Sequence, residues 1–221
     1  MKEEENRHSR ALEADLVADP DERAKAEARN GLRQYDTVIE MVDYWLQPSR
    51  PFRLRVSAIL QLQRIALEGI SAYAGNFRPA GIKIGGSKHQ PVGAHLVPEK
   101  VEELCDYVNE NWEHKPPIHL AAYVLWRLNW IHPFTDGNGR TARALSYLIL
   151  CVRQRMRLPG INTMPELIAG DKSPYYQALE AADAAFEKGA LDLSAMERLL
   201  SDALAKQLLS VHEAATGKGS D

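Results

Sequence analysis

The chain has little with which to cross-link itself. Its two cysteines, Cys105 and Cys151, each sit in an apolar, helix-like run, and no CxxC pair is present. A disulfide framework is therefore excluded, both thiols read as buried, and the composition suits a reducing compartment. Long hydrophobic runs are missing too: the strongest, Leu145 to Val152, is too short to span a bilayer. The acidic start, Met1-Lys2-Glu3-Glu4-Glu5, lacks the apolar core of a secretory signal, so a cytoplasmic protein is expected. Charge of one sign is scarce. With 27 Lys and Arg against 30 Asp and Glu, the net charge of −3 is too small for broad capture of nucleic acid or an anionic membrane. Neither is expected as a partner. There is no internal repeat, and no Gly-Lys-Ser/Thr of a Walker A loop.

What is there is an ordinary soluble composition, 45% hydrophobic over 221 residues, enough for a core without staples. The organisation expected is a helical extension over 1–52, a main domain over 53–212 and a loose tail over 213–221. Residues 1–20 are charged and poorly patterned, and read either as partly disordered or as an arm that orders against the body. From Asp21 the pattern is helical, with Val38, Ile39, Val42, Trp45 and Leu46 on one face; Asn30-Gly31 marks a potential break, and Pro48 and Pro51 an end. A second helix is expected over 53–70. Residues 74–97 change character: five glycines and two prolines surround the alternating Ile82-Lys83-Ile84 and the turn Gly85-Gly86-Ser87. That predicts an irregular β-hairpin. Further helices follow from Pro98, over 118–131 (almost wholly apolar, hence central), 141–155, 174–188 and 194–212. The fold class is mainly α with one hairpin.

Between the two most apolar helices lies a polar segment, His132-Pro133-Phe134-Thr135-Asp136-Gly137-Asn138-Gly139-Arg140-Thr141-Ala142-Arg143. Two glycines able to take positive φ let successive N–H groups converge on an anion. The following helix, expected to begin near Arg140, points its positive dipole end at the same place. Arg140 and Arg143, three apart, can share a helix face and bind phosphate oxygens bidentately. Asp136 is the acid that could hold Mg²⁺, whose shell phosphates and water would complete. His132 can accept a proton near neutrality, while Pro133 and Phe134 fix the chain direction. Singly, each residue has an ordinary explanation as a cap, a turn or a solvated face. Jointly they suggest transfer of a phosphorus-containing group to a hydroxyl.

The segment resembles, at every defined position, the Fic family signature His-x-Phe-x-Asp/Glu-Gly-Asn-Gly-Arg-x-x-Arg. The surroundings agree over roughly 55–200. The stretch Phe77-Arg78…Ile82-Lys83-Ile84-Gly85…Pro91 looks like the Fic flap, a hairpin placed before the catalytic helices that docks targets by strand addition. The resemblance implies a Fic-type helical domain and Mg²⁺-dependent transfer of AMP from ATP to a Ser, Thr or Tyr hydroxyl of a target protein. It makes His132 the general base, Phe134 the anchor and Asp136 the Mg²⁺ ligand. Gly137, Asn138 and Gly139 become the anion hole, with Arg140 and Arg143 on phosphates and Arg143 at the γ-phosphate. Ile82, Lys83, Ile84 and Gly85 become target-docking positions. Gly139 stands where kinase-type relatives carry Lys, which favours AMP transfer. Transfer of another group, removal of AMP, and an idle nucleotide-binding or toxin-type module remain the alternatives. The family's inhibitory motif, Ser/Thr-x-x-x-Glu-Gly/Asn, has no clean match. Its nearest candidates are Glu27, expected to pair with Arg143, and the segment Ser9 to Ala14 around Glu13. If neither serves, an antitoxin-like inhibitory partner is implied; a homodimer stays open.

Overall fold

The structure, a computed structural model, describes residues 16–217. The expectations for residues 1–15, Glu13 included, and for 218–221 lie outside the described residues. The helices are α1 (Pro20–Leu46), α2 (Val56–Leu67), α3 (Val97–Glu110), α4 (Pro117–Ile131), α5 (Asn138–Arg153), α6 (Met164–Gly170), α7 (Ser173–Glu187) and α8 (Ser194–Thr216). Among the described residues no helix is long and apolar enough to cross a membrane.

The pair α4–α5 forms the centre. Leu120 to Leu128 of α4 and Ala144 to Val152 of α5 are buried almost without interruption, which is what all-round apolar helices require. The Ser146 hydroxyl donates to the Ala121 carbonyl at 2.9 Å, tying one helix to the other. Helices α1 and α2 cover α5, while α3 and α8 cover α4 and α7 joins them. Cys105 and Cys151 lie in this core, and burial pushes their thiols up to about 12 and about 11.

Helix α1 begins on a proper cap: the Asp19 carboxylate accepts from the N–H groups of Asp21 and Glu22, both at 2.9 Å, with Pro20 in the first turn. It runs unbroken through Asn30-Gly31. The reason is a row of buried residues four apart, Ala26, Asn30, Gln34, Val38 and Val42. Asn30 donates to the Glu68 carbonyl at 2.8 Å and Gln34 to the Leu62 carbonyl at 2.8 Å, so both polar members satisfy carbonyls of the α2 segment. Tertiary bonds outweigh the local breaking tendency.

The expected hairpin differs most. Among the described residues no strand forms over 74–97; only single-residue bridges occur, at Ser71 and Ile84. A turn closes where Ser87 donates to the Ile84 carbonyl at 3.3 Å, and a 3₁₀ turn over Ala94–Leu96 leads into α3. The carbonyls of Ala80 and Val92 are taken by the Arg78 guanidinium rather than by N–H groups of a facing strand. The segment is a loop tied by a side chain, and it lies against the end of α4.

Candidate active site

Helix α4 stops at His132, whose N–H donates to the Leu128 carbonyl at 2.9 Å. His132 adopts φ 52°, ψ 58°, the left-handed closure that ends many helices, and Pro133 cannot continue the spiral. A non-glycine residue there is strained by about 1–3 kcal/mol, so its surroundings must hold it. The ring is buried. Its Nδ1 lies 3.3 Å from the Asn129 carbonyl, which fixes the proton on that nitrogen. Its Nε2 is buried with no hydrogen-bond partner among the described residues. Burial, aided by the nearby Arg78 and His89, lowers the His132 pKa to about 4, against the opposing pull of the Asn129 carbonyl and Asp136. The outcome is a neutral imidazole at neutral pH with a free lone pair on Nε2.

The turn that follows is closed by Asn138. Its Oδ1 accepts from the Phe134 N–H and its Nδ2 donates to the Phe134 carbonyl, both at 2.9 Å. The Asn138 side chain therefore shapes the loop, and only its backbone N–H remains for an anion. Phe134, the expected anchor, is fully buried and stacks on Phe77 with centroids 5.9 Å apart. The two glycines are needed for different reasons. Gly137 has φ 81°, and a Cβ there would meet Leu67 Cδ2 at 2.4 Å. Gly139 is not left-handed, because α5 starts at Asn138 rather than near Arg140. A Cβ on Gly139 would lie 3.2 Å from Arg143 Nη1, so its smallness gives that guanidinium its place.

Asp136 sits at the mouth of the cradle, about one third exposed. Its Oδ1 accepts from the Gly137 N–H at 2.5 Å, and its Oδ2 from Arg140 at 3.0 Å and from Arg23 of α1 at 2.9 Å. Glu27 completes this network: its Oε1 lies 3.2 Å from Arg23 Nε and 3.4 Å from Arg140 Nη1. Glu27 thus reaches the site, but it pairs with Arg140 and not, as expected, with Arg143. Arg143 turns the other way, over Gly139 and toward Tyr175 and Tyr176. Burial lowers its pKa, and no carboxylate pairs with it among the described residues.

Three residues at the site are given no role by the sequence. Gln63, fully buried, donates to the Asp136 carbonyl at 3.2 Å and accepts from the Gly75 N–H at 2.5 Å. Arg78 donates to the His132 carbonyl at 2.8 Å. Arg23 reaches Asp136 from α1. A clue to Gln63 existed, since it sits four residues from both Ile59 and Leu67 on the apolar face of α2.

Among the described residues no cluster of three or more His, Cys, Asp or Glu could cage a metal. Asp136 alone beside a phosphate cradle fits an ion that draws its remaining ligands from phosphate and water. Ile82 and Ile84, expected as docking positions, are half-buried, with Lys83 and Gly85 exposed between and after them.

Known proteins share this chain's sequence pattern and fold. Residues 53–150 match the Fic/DOC family model. A protein adenylyltransferase fic-1 of Caenorhabditis briggsae is 30% identical over 150 residues, covering 67% of this chain and 28% of that protein. The chain thus spans little more than a quarter of that relative's length. The solved structure of Fic-1 (residues 134–508) from C. elegans is 25% identical with TM-score 0.65, covering 85% of this chain and 52% of that one. The fold is shared with BepC of Bartonella tribocorum, solved with bound AMPPNP, at 14% identity and TM-score 0.51 over 85% of this chain and 88% of that one.

Proposed function

This chain belongs to the Fic/DOC family, and from that premise we propose that it is a protein adenylyltransferase moving AMP from ATP to a Ser, Thr or Tyr hydroxyl of a target protein. The observation that carries the reading is the buried Nε2 of His132, unpartnered among the described residues, poised beside a cradle of backbone N–H groups with one cation, Arg143, that meets no carboxylate among those residues.

His132 Nε2 takes the proton of the incoming hydroxyl. The hydroxyl oxygen attacks the α-phosphorus, the bond to the bridging oxygen breaks, and pyrophosphate leaves with its electron pair. The N–H groups of Asn138 and Gly139 and the end of α5 stabilise charge on the phosphates, joined by the Gly137 N–H once it leaves Asp136 Oδ1. Arg143 holds the γ-phosphate and Arg140 the phosphate nearer the mouth. Mg²⁺, held by Asp136, would neutralise charge and orient the phosphates; Arg23 must first leave Oδ2. The relation of Gly139 to Arg143 supports nucleotidyl over phosphoryl transfer, since a longer side chain at 139 would displace that guanidinium. Targets dock by backbone along Ile82, Lys83, Ile84 and Gly85, which pair as an edge only once a partner segment lies beside them. Restraint comes in cis from α1, through Glu27 on Arg140 and Arg23 on Asp136; an antitoxin-like partner is the alternative source. The cytoplasm supplies both ATP and reducing conditions for the two thiols.

Incubation with α-labelled ATP, Mg²⁺ and candidate proteins should label protein, and His132→Ala should abolish the label. Transfer of γ-label alone would make the enzyme a kinase, and transfer of neither by the wild type would refute the reading.

A further inference from the structure

A helix that ends inside a protein leaves its last carbonyls without intrahelical partners. At the end of α4 three of them are met in distinct ways. The Asn129 carbonyl faces His132 Nδ1 at 3.3 Å, the Trp130 carbonyl faces a ring nitrogen of His89 at 2.7 Å, and the His132 carbonyl accepts from Arg78 Nε at 2.8 Å. Two of the three donors, Arg78 and His89, come from the loop over 74–97. That loop therefore caps the helix that carries the base, and it does so with basic side chains at the negative end of the helix dipole.

Arg78 does most of this. Only 3% of it is exposed. Its own N–H donates to the Pro133 carbonyl at 2.9 Å, so backbone and guanidinium grip two consecutive carbonyls. Its Nη1 donates to the Ala80 carbonyl at 2.9 Å and its Nη2 to the Val92 carbonyl. The three acceptors of the guanidinium thus lie on the base itself and at the two ends of the intervening loop. All are neutral carbonyls, and burial lowers the Arg78 pKa. Keeping an uncompensated cation inside a protein is costly, and a neutral amide could have tied a loop more cheaply. What an amide cannot supply is a planar fork of five donors fixed in one piece. His132, held at φ 52°, has a backbone that must be restrained from relaxing.

We infer that Arg78 is a positioning residue for the His132 base: its guanidinium locks the His132 carbonyl to both ends of the loop over 79–92, so that base and docking loop keep one register. The inference rests on the reading of His132 as the base. It extends to the loop, since a target seated on residues 82–85 is then presented to a base fixed by the same side chain. Ångström-scale misplacement of a catalytic group costs about 100-fold in rate.

The test compares wild type with Arg78→Gln and Arg78→Lys. Both variants should lose kcat for AMP transfer, Gln by about 10- to 100-fold, with KM for ATP within about two-fold, because ATP is held by residues 136–143. Lys keeps the charge without the fork, so it should recover folding stability more than kcat. The ¹⁵N resonances of the His132 ring, assigned by their loss in His132→Ala, should be displaced in both variants. That last readout needs no transfer. If the wild type moves no AMP, the functional reading fails while the ring resonances still judge Arg78. Unshifted resonances, or a kcat that falls only with the folded fraction seen by circular dichroism, would overturn the inference. Should Arg78→Gln not fold, Arg78→Lys is read by the same two measures.

Discussion

Burying a neutral imidazole makes this protein sensitive to acid through one identifiable group. His132 has an ordinary pKa of 6.5 and a folded pKa of about 4. A depressed folded value means that the unfolded chain binds the proton more tightly. Stability is therefore full above the unfolded pKa and is lost as pH falls from 6.5 toward 4. At pH 5 nearly every unfolded imidazole is protonated but only about a tenth of the folded ones, a linkage of about 2 kcal/mol. For a chain of this size that corresponds to a drop in Tm of about 4–8 °C. Other groups titrate over the same range, so the informative quantity is a double difference. Urea unfolding of wild type and His132→Gln should be measured at pH 8 and pH 5. The wild type should lose about 2 kcal/mol more than the variant between the two. Arg78, His89 and Asp136 face the ring and persist in both proteins, so the comparison isolates the ring itself. Parallel pH dependence in the two proteins would refute the account, and would mean that the ring is either solvated or protonated in the folded state.

The segment from His132 to Arg143 was readable because its parts are consecutive: a turn and the first turn of a helix bring together residues that are neighbours in sequence. The central pair α4–α5 was readable because helices buried all round need no periodicity to betray them. Elements that depend on distant partners were not. Asn30-Gly31 looks like a break until the carbonyl of Glu68 is known to wait for the Asn30 amide, 38 residues on. The hairpin was read from alternation and turn residues, but Arg78 claims carbonyls at both ends of the loop and no strand forms among the described residues. Helix α6 is a seven-residue element held by a Thr163–Glu166 capping box, too short for a hydrophobic period to register. At the site, Gln63, Arg78 and Arg23 act across 73, 54 and 113 residues respectively. Glu27 lies beside Arg140, but helical spacing could not say which arginine it would meet, because that depends on how α1 lies on α5.

Gly137→Ala should destabilise by roughly 2–5 kcal/mol, since a left-handed φ of 81° and a contact at 2.4 Å with Leu67 act together; thermal unfolding measures it, and a change under about 0.5 kcal/mol would show that the loop can yield. Relief of the α1 clamp tests whether the network at the mouth of the cradle restrains the enzyme. Glu27→Gly frees Arg140 of its second carboxylate and should raise auto-AMPylation several-fold, read as α-label on the protein itself. Arg23→Ala acts on a different term. It removes a cation 2.9 Å from Asp136 Oδ2, the oxygen an incoming metal would need, so Mn²⁺ binding followed by electron paramagnetic resonance should tighten by about 3- to 10-fold even where transfer is not assayed. Because the groups are a quarter to a third exposed, solvent screening keeps the expected gain at this modest level. Unchanged Mn²⁺ affinity in Arg23→Ala would show that Arg23 yields its place at no cost, and the restraint would then rest on Glu27 alone.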